Sequence, residues 1–542
     1  MEQLKDRPWY QWYKDQRPIH FPEVSLYTIL EQTVKKYGEK TAIIFEDEEI
    51  TYHELKCQVD QLAAAWKEMG FEKRERIGLM VANHPHYMVS YYAAQALGLI
   101  VVQINPHYTT RELLQIIHDS EISYIIVDPF SYKTLKEVKD DYSFKTIMSS
   151  QLEAVEKGNE YIKLETLINF PKKLEKIEEV NPKEDVAVIQ YTGGTTGKMK
   201  GAMLTHFNIT SNVIQSYWMY GEKMVFGEEI ILTATPLYHV YAMTSAMNLG
   251  VYIGAKILLF RKFEVNDVLE KIQKYQPTFF PGVPKMYNAF INYPEIETYH
   301  LKCLKFCSSG SAPLPVEVIR RFEQLTGAKI GEGFGMSETS PSTHRNPPFG
   351  KRKVGSIGIP FPATDCKIVD ENNQELGPKM IGELLIKGPQ VMKGYWNNEL
   401  ETKKAIQNGW LYTGDLAMMD EEGYFYIVGR KKEMIIVGGF NIYPQEVESV
   451  LYEHTDVKEA AVVGIPHEEE GEIVKAYIVP KNHAEIDIEE LRGYCYTKLT
   501  KYKVPKLFEI RDSLPRNTVG KLLKRLLVEE ELKKGKVKND NR

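Results

Sequence analysis

Tyr191-Thr192-Gly193-Gly194-Thr195-Thr196-Gly197-Lys198-Met199-Lys200-Gly201-Ala202-Met203-Leu204-Thr205-His206 decides how the rest of the chain is read. It follows an apolar run, Val186–Ile189, that has the composition of a buried strand. Three glycines and three threonines then occupy positions 192 to 197. Glycines bring backbone N–H groups close to a ligand, and successive N–H groups in a tight loop form a concave anion site. The threonine hydroxyls add neutral donors, and Lys198 and Lys200 add positive charge. A glycine-rich loop alone is usually a flexible hairpin; hydroxyls and lysines set among the glycines call for a phosphate chain. The Walker loop, Gly-x4-Gly-Lys-Ser/Thr, does not fit. Counting back from Gly197-Lys198 puts Thr192 where the first glycine belongs, and Met199 follows the lysine. Gly201–Leu204 reads as a second strand with Thr205 as the N-cap of a following helix, so the order is strand, phosphate loop, strand, helix.

That order resembles the phosphate loop of the adenylate-forming (AMP-binding) superfamily, which includes acyl-CoA synthetases, beetle luciferases and nonribosomal adenylation domains. Gly194 and Met199 stand where that family more often has Ser and Pro. Further motifs of the same family follow in order. Pro236-Leu237-Tyr238-His239 resembles its Pro-x-x-His segment, which puts His239 in the acyl channel with Ala242–Leu249 as one wall. Gly310-Ser311-Ala312-Pro313 resembles the adenine-binding turn. Gly331-Glu332-Gly333-Phe334-Gly335-Met336-Ser337-Glu338 resembles Tyr-Gly-x-Thr-Glu, with Phe334 for Tyr and Ser337 for Thr. An aromatic ring between glycines can stack on a planar base, Ser337 can donate to a phosphate, and Glu338 offers a hard oxygen to Mg2+. Tyr412-Thr413-Gly414-Asp415 matches a ribose-binding motif, in which the carboxylate accepts from both sugar hydroxyls. Gly429-Arg430-Lys431-Lys432-Glu433 resembles the hinge region, with Arg430 on ribose or phosphate and Lys432 at the pivot. Gly438-Gly439-Phe440 corresponds to the thioester tunnel, and Lys521, after Pro515 and Gly520, to the mobile catalytic lysine.

The resemblance therefore implies ATP, Mg2+ and coenzyme A as co-substrates and cofactor. Lys521, Glu338 and His239 would carry the chemistry. Thr192 to Lys198, Lys200, Gly310 to Pro313, Gly333 to Gly335, Ser337, Asp415 and Arg430 would hold the nucleotide, with Thr195 and Glu338 at the metal. Phe21–Tyr27 resembles the opening of bacterial fatty-acyl-CoA ligases, so a medium- or long-chain fatty acid is the expected acid. Two other enzymes share these residues: an acyl-AMP ligase that loads a carrier protein in trans, and a luciferase-type oxygenase. A non-catalytic adenylate-binding regulator would be expected to lack Glu338 or Lys521, and both are present.

The remaining sequence agrees with an enzyme of this kind. The chain has 542 residues, 43% apolar and 26% charged, with a net charge of −6 that makes no electrostatic case for nucleic acid. Five scattered cysteines suit a reducing, cytoplasmic setting, and Cys303 and Cys307 read as buried thiols. The most apolar window, Ala242–Phe260, is broken by Asn248, Lys256 and two glycines. It reads as a buried helix and a core strand rather than a membrane span; contact with a membrane surface stays compatible, and monomer and homodimer are equally so. Strands alternate with helices from Ser25 to Val127, which predicts parallel sheets covered on both faces. Asp140–Glu179 is charged and reads as an irregular insertion. The expected architecture is α/β: a large N-terminal domain, 1–431, of doubly wound parallel-sheet subdomains and a smaller β-rich part, then a small mobile α/β domain, 432–542. The last stretch, with eight Lys/Arg against four acids from Lys521 onward, reads as a solvated end.

Overall fold

The strands around the glycine-rich loop lie at one side of a mostly parallel sheet, and that sheet sets the site. The computed structural model describes residues 4–13, 18–138, 141–150, 161–193, 199–312, 314–437, 440–467, 470–481, 485–517 and 521–540. Among these, strands Ile100–Gln103, Arg76–Met80, Tyr124–Val127, Thr146–Ser149 and Tyr161–Lys163 run parallel. Val186–Gly193 joins this set parallel to Ile100–Gln103, and Met199–Thr205 then turns back antiparallel at its side. The side chains of Arg76–Met80, Ile100–Gln103 and Tyr124–Val127 form near-continuous buried runs, as expected for strands covered on both faces. A second sheet pairs Thr41–Phe45, Lys256–Leu259, Ile230–Thr233, Phe279–Gly282, Phe306–Ser309 and Lys329–Gly335 in parallel, with antiparallel Ser342–Arg345 and Ile359–Pro360 at one end and antiparallel Glu48–Thr51 at the other.

Helices start where side chains can close their open N–H groups. Thr51 with Glu54, Thr109 with Glu112 and Thr205 with Asn208 form capping boxes that open Tyr52–Glu68, Thr110–Ser120 and His206–Tyr220. The predicted wall around Ala242–Leu249 is helical, with a π-helical segment at Met243–Asn248. The wider turn is held by Asn248, whose Nδ2 donates to the Met243 carbonyl at 2.9 Å while its Oδ1 accepts from Tyr92 at 2.9 Å. Such segments recur at functional sites.

By its internal contacts the chain divides into two compact units, Met1–Cys366 with Ile386–Leu411, and Lys367–Leu385 with Tyr412–Arg542. The β-rich part includes strands Gly382–Lys387, Trp410–Met419 and Phe425–Arg430. Within the second unit, Phe440–Ile442, Ile435–Val437, Gly471–Pro480, Val457–His467 and Leu507–Ile510 form a sheet with its own buried core.

Three expectations are corrected. The 140–179 stretch is not an irregular insertion: it supplies the strands Thr146–Ser149 and Tyr161–Lys163 and the helix Leu164–Ile168. These strands are too short to show a period; Thr146–Ser149 is made a strand by pairing with Tyr124–Val127, and Tyr161–Lys163 by pairing with Thr146–Ser149. The tail is a helix, Lys524–Asp540, anchored by buried Leu527. Its acids are used as well: Glu531 pairs with Lys475 at 2.9 Å and Glu530 with Arg511 at 2.6 Å. Cys303 is only half-buried, whereas Cys307 is fully buried; all five thiols are free.

Candidate active site

The glycine-rich loop is framed by an antiparallel hairpin. Thr192 pairs with Lys200 and Gly193 with Met199, so the strands converge at the loop's two ends. Gly194, Thr195, Thr196, Gly197 and Lys198 lie outside the described residues, as do Pro313, Gly438 and Gly439. Lys200 is not idle at this end. Its ammonium pairs with Glu401 and stands 5.0 Å over the ring of Tyr395. The Lys200 ammonium, helped by Lys404, holds the Glu401 carboxyl down at about 2.

Tyr395 reaches this position because Gly394–Tyr395 pairs with Met199–Thr205, Tyr395 facing Ala202. Its hydroxyl donates to Glu338 Oε1 at 2.8 Å. Glu338 is buried, and the Met392 N–H donates to its backbone carbonyl at 2.8 Å. The short Ser337–Thr339 turn that carries it packs against both strands of the phosphate-loop hairpin. Glu338, Tyr395, Lys200 and Glu401 thus form one polar chain beside the loop. Sequence reading found Glu338 and Lys200. It missed Tyr395 and Glu401, whose only signal was the aromatic pair Tyr395-Trp396 after the Gly382–Lys387 strand.

Phe334 and the glycines beside it are set by a close strand approach. Phe334 faces His344 across the antiparallel ladder. A Cβ on Gly335 would meet the Pro341 carbonyl oxygen at 2.2 Å, so only glycine fits there. Gly333 is nearly as tight, at 2.8 Å from the His344 carbonyl. Phe334 is half-buried, leaving part of its ring open for stacking. Ser311 adopts φ 71, the left-handed region, in the turn after the Phe306–Ser309 strand, and Gly310 lies against the ring of Tyr241. Residues outside the glycines seldom sit in that region, and they cluster at functional sites. Tyr241 in turn bonds Ser308 Oγ at 2.9 Å.

His239 caps the helix that begins at Val240, its Nδ1 accepting from the Tyr241 N–H at 3.3 Å. The turn before it is pinned by buried Asn83, which accepts from the Leu237 N–H at 2.8 Å and donates to the carbonyls of Thr235 and Phe260. His239 is therefore held at the carboxyl end of Ile230–Thr233, where open α/β sheets bind ligands.

In the other unit, Asp415 and Arg430 face each other across an antiparallel pair and form an ion pair at 2.8 Å. Asp415 is buried, and its N–H donates to Thr413 Oγ1. Lys432 is exposed in the short Lys431–Glu433 turn, and exposed Phe440 stacks on Tyr502 at 4.7 Å. Lys521 is exposed too; its N–H donates to Asn517 Oδ1 at 2.8 Å while the Asn517 N–H donates to its carbonyl.

The mostly parallel sheet, the hairpin that frames the glycine-rich stretch and the buried Glu338 carboxylate packed against that hairpin are the arrangement to set beside known proteins. The chain belongs to the AMP-binding enzyme family, which matches residues 30–396, with the family's C-terminal domain matching 446–521. It is an AMP-forming acid–CoA ligase. It is 42% identical to a long-chain-fatty-acid–CoA ligase of Bacillus subtilis, over 98% of this chain and 99% of that one. An Escherichia coli long-chain-fatty-acid–CoA ligase is 39% identical over 95% and 96%. Among solved structures, ATP-bound MatB of Rhodopseudomonas palustris superposes with a TM-score of 0.84 at 29% identity, covering 94% of this chain and 99% of that one. The anthranilate–CoA ligase AuaEII with anthranoyl-AMP gives 0.86 at 25% identity, covering 94% and 97%. ATP and coenzyme A are thus its co-substrates, and Mg2+ is typical of the family. The residues present fit Mg2+ in that Glu338 offers a buried carboxylate, a hard oxygen donor, packed against the hairpin. Mg2+ is commonly held by one or two carboxylates together with substrate phosphates and waters.

Proposed function

We infer that this ligase activates medium- or long-chain fatty acids. Support comes from relatives of that printed activity at about full length, and from the buried, largely apolar wall Ala242–Leu249 behind His239. In the first half-reaction a carboxylate oxygen bonds to the α-phosphorus of ATP and the bond to the β-phosphate oxygen breaks, giving acyl-AMP and pyrophosphate. In the second, the sulfur of coenzyme A bonds to the acyl carbon, AMP leaves, and the thiol proton passes to solvent.

The residues divide this work. Thr192 to Lys198 donate to the β- and γ-phosphates, with Lys200 supporting the loop from the hairpin. Gly310 to Pro313 and Gly333 to Gly335 sandwich the base, Ser337 donates to the α-phosphate, and Asp415 with Arg430 fixes the ribose. Glu338 and Thr195 would hold Mg2+, which when bound would supply charge neutralisation on the phosphates. Charge that builds on phosphoryl oxygens is met mainly by positioned donors and cations. Lys521 brings the mobile cation to the α-phosphate and the carboxylate. It must leave before a thiol enters from the same side. A pivot at Lys432, dividing 1–431 from 432–542, would exchange Lys521 for the Gly438-Gly439-Phe440 loop. The free thiols support a cytoplasmic enzyme.

The observation that carries the reading is the buried Glu338–Tyr395 pair set against the phosphate-loop hairpin. The test is pyrophosphate release with ATP, CoA and a series of acids from acetate to palmitate plus an aromatic acid. Octanoate or palmitate should be used best. A clear preference for acetate or the aromatic acid sinks the fatty-acid assignment.

A further inference from the structure

Arg345 is an oddity that the adenylation chemistry does not use. It is 3% exposed, at the end of the Ser342–Arg345 strand, and pairs with Gly333 across the ladder. Its guanidinium carbon lies 4.9 Å over the ring of Tyr220 and 5.2 Å over that of Phe361. Its Nε and Nη1 are buried and find no hydrogen-bond partner among the described residues. Those two atoms carry three of the guanidinium's five N–H donors. No carboxylate among the described residues pairs with it.

A buried cation left unpaired is costly, and a guanidinium does not escape the cost by losing its proton. The rings cover its faces. What they leave unsatisfied is its edge, in the plane of the N–H fork. A planar oxyanion or another oxygen acceptor meets a guanidinium edge-on. An unsatisfied buried donor of this kind calls for an acceptor that the chain itself does not supply, a water, an ion or a ligand atom.

The location says which partner. The Arg345 stem runs across Gly331, where an added Cβ would already touch its Cγ and Cδ at 3.4 Å. Gly331 sits beside Ser308 in the sheet, and Ser308 is the residue that Tyr241 bonds. The charge of Arg345 reaches the Tyr241 phenol, partly countering what burial does to it. Arg345 therefore stands where the His239–Tyr241 segment, the Ser308–Gly310 strand end and the glycine-rich strand meet.

We propose that Arg345 is a specificity subsite for the distal end of the acid, and that the preferred substrates are fatty acids carrying a second oxygen function, a carboxylate or a hydroxyl, away from the reacting carboxyl. This rests on the fatty-acid reading above and narrows it. The subsite binds by edge-on hydrogen bonding to the fork and adds no step to the reaction.

The test uses the full-length enzyme and matched acids: octanoate with octanedioate, palmitate with hexadecanedioate, and the ω-hydroxy counterparts. kcat/KM is measured by pyrophosphate release. The wild type should favour an oxygenated member over its plain partner at one length or more. Arg345→Met keeps the length and apolar stem but removes the fork. It should cut kcat/KM for the oxygenated acid on the order of 10²-fold, and raise that for the plain acid several-fold, reversing the preference. Arg345→Lys keeps charge without the fork and should fall between the two; it carries the comparison if the Met variant does not fold. A wild type that favours plain acids at every length overturns the proposal. So does an equal loss on both members of each pair, which would make Arg345 a structural clamp between two rings with ordered water on its edge. If plain fatty acids are good substrates and only the oxygenated preference is missing, the fatty-acid reading stands and this subsite falls. If no fatty acid of either kind is used, both fall.

Discussion

Tyr395→Phe isolates one hydrogen bond in the candidate metal site. The substitution removes the hydroxyl that donates to Glu338 Oε1 at 2.8 Å, and it leaves the ring that stands beside Lys200. Hydrogen bonds to a charged group contribute about 1.5–3 kcal/mol. The acceptor is buried, so bulk water replaces the lost donor poorly. If Glu338 must be oriented to meet Mg2+ on the phosphates, most of that energy is lost from the adenylation transition state. At about 1.4 kcal/mol per decade, the rate of pyrophosphate release falls roughly 10- to 100-fold. The Mg2+ concentration needed for half-maximal rate should rise in parallel. Conversion of supplied acyl-AMP and CoA to thioester, which breaks no phosphoanhydride bond, should fall far less. The assay is pyrophosphate release across a Mg2+ titration, run beside thioester formation from acyl-AMP. A variant with an unchanged Mg2+ midpoint and unchanged rate refutes the idea that Tyr395 positions Glu338. A lower melting temperature with both half-reactions slowed equally would show the bond to be structural.

Three further outcomes are expected. Asp415→Ala should raise KM for ATP by ten-fold or more while KM for the acid changes little, because the ribose loses its carboxylate; equal rises in both would indicate a folding defect. Lys521→Ala should slow acyl-AMP formation roughly 10²–10³-fold, as loss of a transition-state donor does, yet spare much of the thioester step, whereas Gly439→Leu should do the reverse, and equal loss in both steps by Lys521→Ala would remove the two-conformation scheme. Burial raises Glu332 to about 7, so between the unfolded carboxyl value and pH 7 the folded chain binds more protons than the unfolded one. Stability from this group therefore falls as pH rises through that window, and Glu332→Gln should melt higher than wild type at pH 8 but equally at pH 4; a gap that is the same at both values would assign the effect to packing.

Local chemistry made much of the chain readable. Thr110–Ser120 starts where Thr109 and Glu112 close a capping box within one turn, a signal of residue type and spacing alone. Thr41–Phe45, Ile100–Gln103 and Tyr124–Val127 belong to the alternation read from Ser25 to Val127, being apolar runs of strand length between clear breaks. The strands Thr146–Ser149 and Tyr161–Lys163 were not legible, since four or three residues show no period and pairing alone defines them. The tail was misread for a related reason. Its charge balance suggests a solvated end, and only the placement of Lys475 and Arg511 opposite Glu531 and Glu530 turns those acids into anchors.

What the sequence determined by itself was the series of motifs, from the threonine–glycine loop at 192–197 through Glu338 and Asp415 to Lys521, together with the alternation that builds parallel sheets. Those features depend on near neighbours along the chain, where spacing and residue type speak directly. The tertiary structure alone decided which side chains meet. Tyr395 and Glu338 are 57 residues apart, and Lys200 and Glu401 are 201 apart. Arg345 looks like one more surface charge until the fold closes two aromatic rings over it. Such pairings follow from sheet register and burial, which arise from contacts distant in sequence, and no local pattern carries them.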